Sequence, residues 1–543
     1  MTSPQPARVR KSGSSTDRQN LLHSCGLLSI LVLATFLIFY GLAKRPLWQD
    51  EAETACLARN VLTFGLPVAS DGVNVISQER GGEFDADYVW RWSPWLQIYI
   101  SAASQAMLGS TTLAARLPFA LCGLACLVFT YILIARRFGD RAWALLSITF
   151  LATSVPFLIF MRQGRYYGLS GLLSVVIIYC ILDDWKKTRN IILLSICLGA
   201  LFHLNYLLFI SMLASLLVGI FTLYREKIHW PSFLIIALSV AAICIPGLFI
   251  YGIGKQGGMI KIPLIIEYFK QYLSDILLFM IPAPVFAFFL WYWRKQITTW
   301  QKPREPDEIF VLFCLVVFLV NISILSIAPQ RFFRYICHLY PLGAIVLSWA
   351  ALKLWNYCKI CGVYFVVLVS LTNWLHVIPL EKIWRFQCPY NNTFNQLNWP
   401  NIPLYLYISE QLCDQPDVNA VLIDFFKANA KKNDVILVDY NDLTLQFYTP
   451  FRVLGGLQGA IPEGLSPDWV FALPQMNLDR EGDLIDVVKF RSTALNLEKD
   501  YKKIILANTD ESFNNVGDPL YYHFVPFPGE RQNIVVYQKK DME

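Results

Sequence analysis

The feature that most limits how this chain can fold is a train of apolar runs, each roughly 18 to 22 residues long and almost free of charge, that repeats from Leu21 to about Leu380. Each run is long enough to cross ~30 Å of hydrocarbon. Only 16% of the 543 residues are charged, against about 25% in an ordinary soluble domain. After Pro379 the pattern changes, and Lys, Asp, Asn and Glu become frequent. The expected organisation is a cytoplasmic tail at 1–20, a membrane domain at 21–380 and a soluble domain at 381–543. The N-terminal basic residues Arg8, Arg10, Lys11 and Arg18 precede an apolar run too long for a signal peptide, so 21–43 reads as an uncleaved first span.

Charge then gives the topology. Candidate spans lie at 21–43, 117–135, 142–160, 168–184, 190–204, 206–224, 231–252, 276–293, 308–328, 336–354 and 362–379, about eleven in all. The stretch 93–108 is short and carries Ser93, Gln97, Ser101, Ser104 and Gln105. With the N-terminus inside and that stretch lying on the surface, the basic clusters Arg136/Arg137/Arg141, Lys186/Lys187/Arg189, Arg225/Lys227 and Arg294/Lys295 all face the cytoplasm. Were it a span, all four would face out. It therefore reads as an amphipathic surface helix, and 44–116 becomes one long extracytoplasmic loop, with 381–543 outside as well. The net charge of +6 sits at span ends, which is interfacial anchoring and not nucleic-acid binding.

Long outer loops usually carry function. This one opens with Arg45-Pro46-Leu47-Trp48-Gln49-Asp50-Glu51-Ala52-Glu53, two adjacent carboxylates beside the bilayer. Two readings of Asp50 and Glu51 stand: Asp50 as the N-cap of a helix that begins there, or a general base in an apolar setting. Downstream, Glu83, Asp85 and Asp87 lead to Trp90-Arg91-Trp92-Ser93-Pro94-Trp95, an interfacial anchor or a lipid-phosphate contact through Arg91. Arg162, Arg165 and Tyr166 fall on the same outer face, as do Arg331 and Arg334, with Lys255 and Lys261 in another outer loop. Cations outside run against the usual trend, and together they suit an anionic lipid headgroup. His203, inside an apolar run, reads as a structural hydrogen-bonding group.

In order and spacing these motifs resemble the GT-C glycosyltransferases, in particular the family 39 branch of protein O-mannosyltransferases and bacterial aminoarabinose transferases. The matching text is Asp50-Glu51 after the first span, the Pro94 surface helix, Gly109…Ala115-Arg116-Leu117-Pro118, Arg136-Arg137-Phe138-Gly139, Arg162…Arg165-Tyr166 and Arg334-Tyr335…Tyr340-Pro341-Leu342. The resemblance implies a polytopic α-helical GT-C-like fold and a polyprenyl-phosphate sugar donor. It further implies Asp50 as the base that activates an acceptor hydroxyl for inverting attack, Glu51 as an orienting group, and donor-phosphate contacts from Arg91, Arg162, Arg165, Tyr166, Arg331 and Arg334. The family's basic residue before a proline pair is replaced here by Ser93-Pro94-Trp95, so Arg91 has to serve in its place. The acceptor is a lipid, polysaccharide or protein, the other partners are membrane lipids, and the setting is a bacterial inner membrane facing the periplasm. Asp50 and Glu51 could hold a divalent cation, but no further ligands are identifiable, and no other cofactor is implied.

The soluble part reads as a small α/β domain with strands near 435–439, 469–473, 503–507 and 534–538 and a helix near 420–432. Cys388 and Cys413 lie outside and suggest a disulfide, whereas Cys358 and Cys361 form a lone CxxC. The rival reading is a flippase for lipid-linked sugars, which calls for internal repeats and charges deep in the membrane. Neither is evident.

Overall fold

The computed structural model describes residues 13–253, 262–299, 305–384, 400–413, 417–438, 441–455, 458, 466–471, 495–509 and 533–540. Helix α1 (Gly13–Phe39) leads to α2 (Gln49–Phe64) and α3 (Leu96–Leu108), then α4 (Thr112–Arg137). A bent pair, α5 (Arg141–Thr153) and α6 (Val155–Met161), precedes α7 (Tyr167–Leu182), α8 (Thr188–Leu204), α9 (Tyr206–Leu223) and α10 (Trp230–Ile250). Next come α11 (Ile262–Phe279), α12 (Ala283–Tyr292), the short α13 (Arg294–Thr299) and α14 (Pro306–Leu325). A 3-10 segment (Phe333–Leu339) feeds α15 (Tyr340–Tyr357), and α16 (Lys359–Leu371), α17 (Trp374–Trp384) and α18 (Pro403–Leu412) close the helical part.

Among the described residues, six segments are long and apolar enough to cross a membrane: Asn20–Phe39, α4, α9, α10, α14 and Phe333–Tyr357. Three expected spans are not straight. α5 and α6 bend by 73°, α11 and α12 by 92°, and α16 and α17 by 90°. Proline explains two of the bends, because Pro156 stands in the first turn of α6 and Pro282 is extended just before α12. At the third, Thr372 adopts an extended backbone. With each pair counted as one crossing the number rises to nine, while α7 and α8 remain shorter apolar helices. All three bends line one cavity of about 70 Å³, where Ser154, Met280, Thr372 and His376 meet. Backbone groups freed in lipid need partners, and here His376 Nδ1 donates to the Leu277 carbonyl at 2.8 Å. His203 does similar work, bonded to Tyr251 and to the Ile243 carbonyl.

The most extensive helix contact is α4 against α7. A small residue allows it: a Cβ on Gly168 would run into the Phe119 carbonyl. Gly123 gives α4 a similar closeness to α6, since a Cβ there would lie 2.7 Å from the Met161 Cβ. α3 is not among the candidate spans; it packs on α2, α4 and α8. The loop between α2 and α3 is held by its own acids. Glu83 accepts from Ser77 and from the amides of Gln78 and Glu79, and Asp85 accepts from the amides of Asp87 and Val89. Trp90, expected at the interface, is fully buried in this loop's core.

The C-terminal part holds α19 (Val418–Asn429), β1 (Val435–Val438), α20 (Asp442–Tyr448), β2 (Arg452–Gly455), β3 (Trp469–Phe471), α21 (Leu497–Asp500), β4 (Tyr501–Thr509) and β5 (Asn533–Lys539). The sheet order is β2-β1-β3-β5-β4, parallel across β2, β1 and β3 and antiparallel beyond. β1 is buried along its whole length, which suits a strand covered on both faces. α18 instead buries Tyr407 in the core of the membrane bundle, so the separate C-terminal core begins at Val418. Cys413 is exposed and forms no disulfide among the described residues, and Cys388, Lys255 and Lys261 lie outside the described residues. Leu443 and Phe447 of α20 join the core of the outer loop, which docks the two parts together. At this junction burial pushes the Asp442 carboxyl up to about 6, against the hydrogen bonds from Gln49 and Gln458 that lower it.

Two predictions follow from this packing. Gly168→Ala loses about 1–3 kcal/mol through overpacking, whereas Gly171→Ala, whose Cβ would meet Cys126 at an ordinary 3.4 Å, stays within about 0.5 kcal/mol; thermal unfolding in detergent separates them. Because the folded carboxyl of Asp442 titrates above its unfolded value, its stabilisation is full at acid pH and is lost as pH rises through about 6. Asp442→Asn accordingly flattens the unfolding-against-pH curve between roughly pH 4 and 6.

Candidate active site

The site forms where the first turn of α2 meets the bend between α6 and α7. Asp50 does not cap α2, as the sequence suggested. Trp48 is the N-cap, with an extended backbone, and the Glu51 carboxylate reaches back to the Trp48 amide at 3.3 Å. Asp50 and Glu51 both lie in the first turn, where negative charge complements the helix dipole. The helix ends at Gly65, whose φ of 75° closes it in the left-handed region.

Glu51 is fully buried and saturated. Arg116 from the start of α4 grips it twice, Nε to Oε1 at 2.8 Å and Nη2 to Oε2 at 2.6 Å. The Gly164 amide donates to Oε1 at 2.6 Å. Arg116 also donates to the carbonyls of Leu42, Arg45 and Pro46. The pair thus ties together the end of α1, the start of α2, the start of α4 and the α6–α7 bend.

Asp50 has other partners. Its Oδ2 lies 2.9 Å from Arg334 Nη1 and 4.0 Å from Arg165 Nη2, yet no donor is aligned for a hydrogen bond to it. Arg165 Nη1 donates to the Asp50 carbonyl (2.8 Å), Glu53 Oε1 (3.0 Å) and Thr54 (2.8 Å). Burial works against the Arg165 charge, but Asp50 and Glu53 more than offset it and raise its pKa. Burial pushes the Glu53 carboxyl up, with Arg165 opposing. Gln97 of α3 holds the bend through the Tyr166 amide at 3.2 Å. Arg165 Nε and the Tyr166 hydroxyl are buried with no hydrogen-bond partner among the described residues.

The candidate phosphate-binding residues divide. Arg165 and Arg334 gather at Asp50, and Tyr166 lies close to Arg334. Three do not join the site. Arg331 is buried against Asp275, with its guanidinium 5.4 Å over the Tyr272 ring. Arg162 Nη1 donates to the carbonyls of Leu37, Ile38 and Tyr40 at 3.0, 3.0 and 2.7 Å, and Nη2 donates to Gln411 at 2.9 Å. It caps the C-terminus of α1, whose last carbonyls lack helical partners. Arg91 pairs with Asp85 and donates to the Ile250 carbonyl at 2.9 Å, latching the outer loop to α10. Nor do the residues fit a bound divalent cation. Asp50 faces two guanidinium groups, and among the described residues no group of three or more His, Cys, Asp or Glu is placed to hold a metal. Sequence reasoning passed over Glu53, although three residues along a helix from Asp50 puts it on the same face.

With this geometry in hand, the likeness to solved structures is informative. The chain is similar to ArnT, an aminoarabinose transferase from Cupriavidus metallidurans, in its crystal structure bound to undecaprenyl phosphate: TM-score 0.52, 13% identity, 79% of this chain and 85% of that one covered. The apo structure of the same protein aligns with a TM-score of 0.45 at 13% identity, covering 81% and 86%. The archaeal oligosaccharyltransferase AglB from Archaeoglobus fulgidus, in complex with an inhibitory peptide and a dolichol-phosphate, aligns at 0.41 and 11% identity, covering 80% of this chain and 64% of that one. No family model matches the chain, and no curated protein matches it. The likeness is one of fold: the chain shares its overall fold with that aminoarabinose transferase.

The pairing generates a prediction. Glu51→Ala strands the buried Arg116 charge and costs about 3–5 kcal/mol of stability, read as a large drop in the detergent unfolding midpoint. Asp50→Asn removes a charge from Arg334 but no aligned hydrogen bond, and lowers that midpoint less than Glu51→Ala does.

Proposed function

We propose that this protein is a membrane glycosyltransferase that moves a sugar from a polyprenyl-phosphate donor to an acceptor hydroxyl at the extracytoplasmic face, with inversion. The observation that carries the reading is Asp50, a buried carboxylate in the first turn of α2, ion-paired to Arg334 without an aligned hydrogen bond. The similar fold of ArnT, whose crystal structure is bound to undecaprenyl phosphate, supports a lipid-phosphate donor.

The chemistry follows from these charges. Arrival of the donor phosphate gives Arg334 a second anion. Its contact with Asp50 has no hydrogen bond to lose, so the guanidinium turns to the phosphate and Asp50 is released. Asp50 takes the proton from the acceptor hydroxyl as its oxygen attacks the anomeric carbon. The bond from that carbon to the phosphate oxygen breaks on the opposite face, and its electron pair leaves with the phosphate. Arg334 stabilises the charge that develops there. Glu51 holds the turn in place and takes no part in the proton transfer.

The three bent pairs and the two shorter apolar helices, counted as crossings, bring the spans to the eleven read from charge. On this reading the N-terminus is cytoplasmic, the C-terminal domain lies outside after an odd number of crossings, and the setting is a bacterial inner membrane. Transfer by purified protein from polyprenyl-phosphate sugars tests the reading. Asp50→Asn is expected to lower turnover by about 10²–10⁴-fold while donor binding persists. Wild-type turnover in that variant, or translocation of the lipid-linked sugar without transfer, would remove it.

A further inference from the structure

We propose that Asp442, in the C-terminal domain, is a positioning residue for Asp50, acting through Gln49. This inference rests on the reading of Asp50 as the base. Gln49 immediately precedes Asp50, and both its side chain and that of Asp442 are fully buried. Gln49 Nε2 donates to Asp442 Oδ1 at 2.7 Å, and the Leu443 amide donates to Gln49 Oε1 at 3.2 Å. The second bond fixes which way the carboxamide faces, since only its oxygen can accept from an amide.

The clamp is itself held from behind. Gln458 Nε2 donates to Asp442 Oδ2 at 2.6 Å, and a Cβ on Gly455 would strike the Asp442 carboxyl. Asn441, just before it, sits at φ 69°, a left-handed conformation that Asn tolerates better than most side chains. Two further bonds run from α20 to the approach of α2: Thr444 donates to the Leu47 carbonyl at 3.0 Å, and the Leu47 amide donates to the Tyr448 hydroxyl at 3.0 Å. The backbone from Leu47 to Gln49 is thus gripped by the C-terminal domain on one side, while Arg116 and Arg165 grip Glu51 and the Asp50 carbonyl on the other. Among the described residues, the domain contributes no group to the Asp50 ion pairs. It sets the direction from which the carboxylate enters the site.

Catalysis is steep in this kind of geometry, because misplacement of a reacting group by about 1 Å can cost on the order of 10²-fold in rate. Asp442→Ala in the full-length protein is therefore expected to lower kcat by about 10–100-fold with little change in donor KM. Gln49→Ala removes the same bond from the other partner, leaves the C-terminal domain intact, and is expected to do the same. Asp442→Asn keeps an oxygen for Gln49 Nε2, and turning the Gln458 amide gives its own nitrogen an acceptor, so it is expected to restore most of kcat. Hydrogen exchange at the amides of 47–51, faster in both alanine variants, reads the clamp independently of turnover. Wild-type kcat in both alanine variants, or unchanged exchange, overturns the inference. An Asp50→Asn protein with full activity in the same assay overturns the underlying reading instead.

Discussion

The buried bidentate pair between Glu51 and Arg116 is the interaction on which the rest depends. Removing two charges from water is expensive, and the attraction between them offsets that cost only when the remaining donors and acceptors are also satisfied. Here they are. Glu51 accepts from four donors, and Arg116 spends its other hydrogen bonds on three carbonyls at the chain's exit from the first span. The first turn of α2 is thereby fixed against the membrane bundle. Asp50, one residue earlier, inherits that position while its own carboxylate stays without a hydrogen bond.

Adjacent acids take different partners within a single turn. Glu51 is committed to protein and Asp50 is held only by charge. The arginines divide in the same way. Arg162 and Arg91 close a helix end and a loop, whereas Arg165 and Arg334 remain at the carboxylate. Glu53 keeps Arg165 engaged through a 3.0 Å bond, which leaves Arg334 as the cation able to exchange one anion for another. The C-terminal domain takes part by docking α20 against the same turn.

Much of the architecture was legible because lipid imposes a simple rule, that a crossing needs a long uncharged run. The segments for α1, α4, α9, α10 and α14 could be read directly, and the polar residues of 93–108 correctly kept α3 out of the spans. The bends were harder to see. Ser154, Pro282 and Thr372 interrupt their helices without interrupting apolarity, so a reading based on hydropathy passes over them. The Asp50-Glu51 pair stood out from its place after the first span, but the different partners of its two carboxylates did not. That division depends on Arg116, 65 residues away in sequence, and no local pattern announces a partner at such a distance. Arg162 misled for a related reason: an outward-facing cation looks free until the carbonyls at the end of α1 are placed beside it. In the C-terminal part, strands were expected near those now described at Val435–Val438, Trp469–Phe471, Tyr501–Thr509 and Asn533–Lys539. α20 was not, because its residues Leu443 and Phe447 are apolar toward a different core.

The central claim is that Asp50 is the reacting carboxylate and that Arg334 is shared between it and the donor phosphate. A structure of the protein with a non-transferable polyprenyl-phosphate sugar analogue tests this most directly. The account predicts Arg334 on the phosphate, Asp50 freed and facing the acceptor side of the anomeric carbon, and Glu51 still locked to Arg116. A phosphate bound elsewhere with the Asp50–Arg334 pair intact, or Glu51 turned from Arg116 toward the sugar, would contradict it.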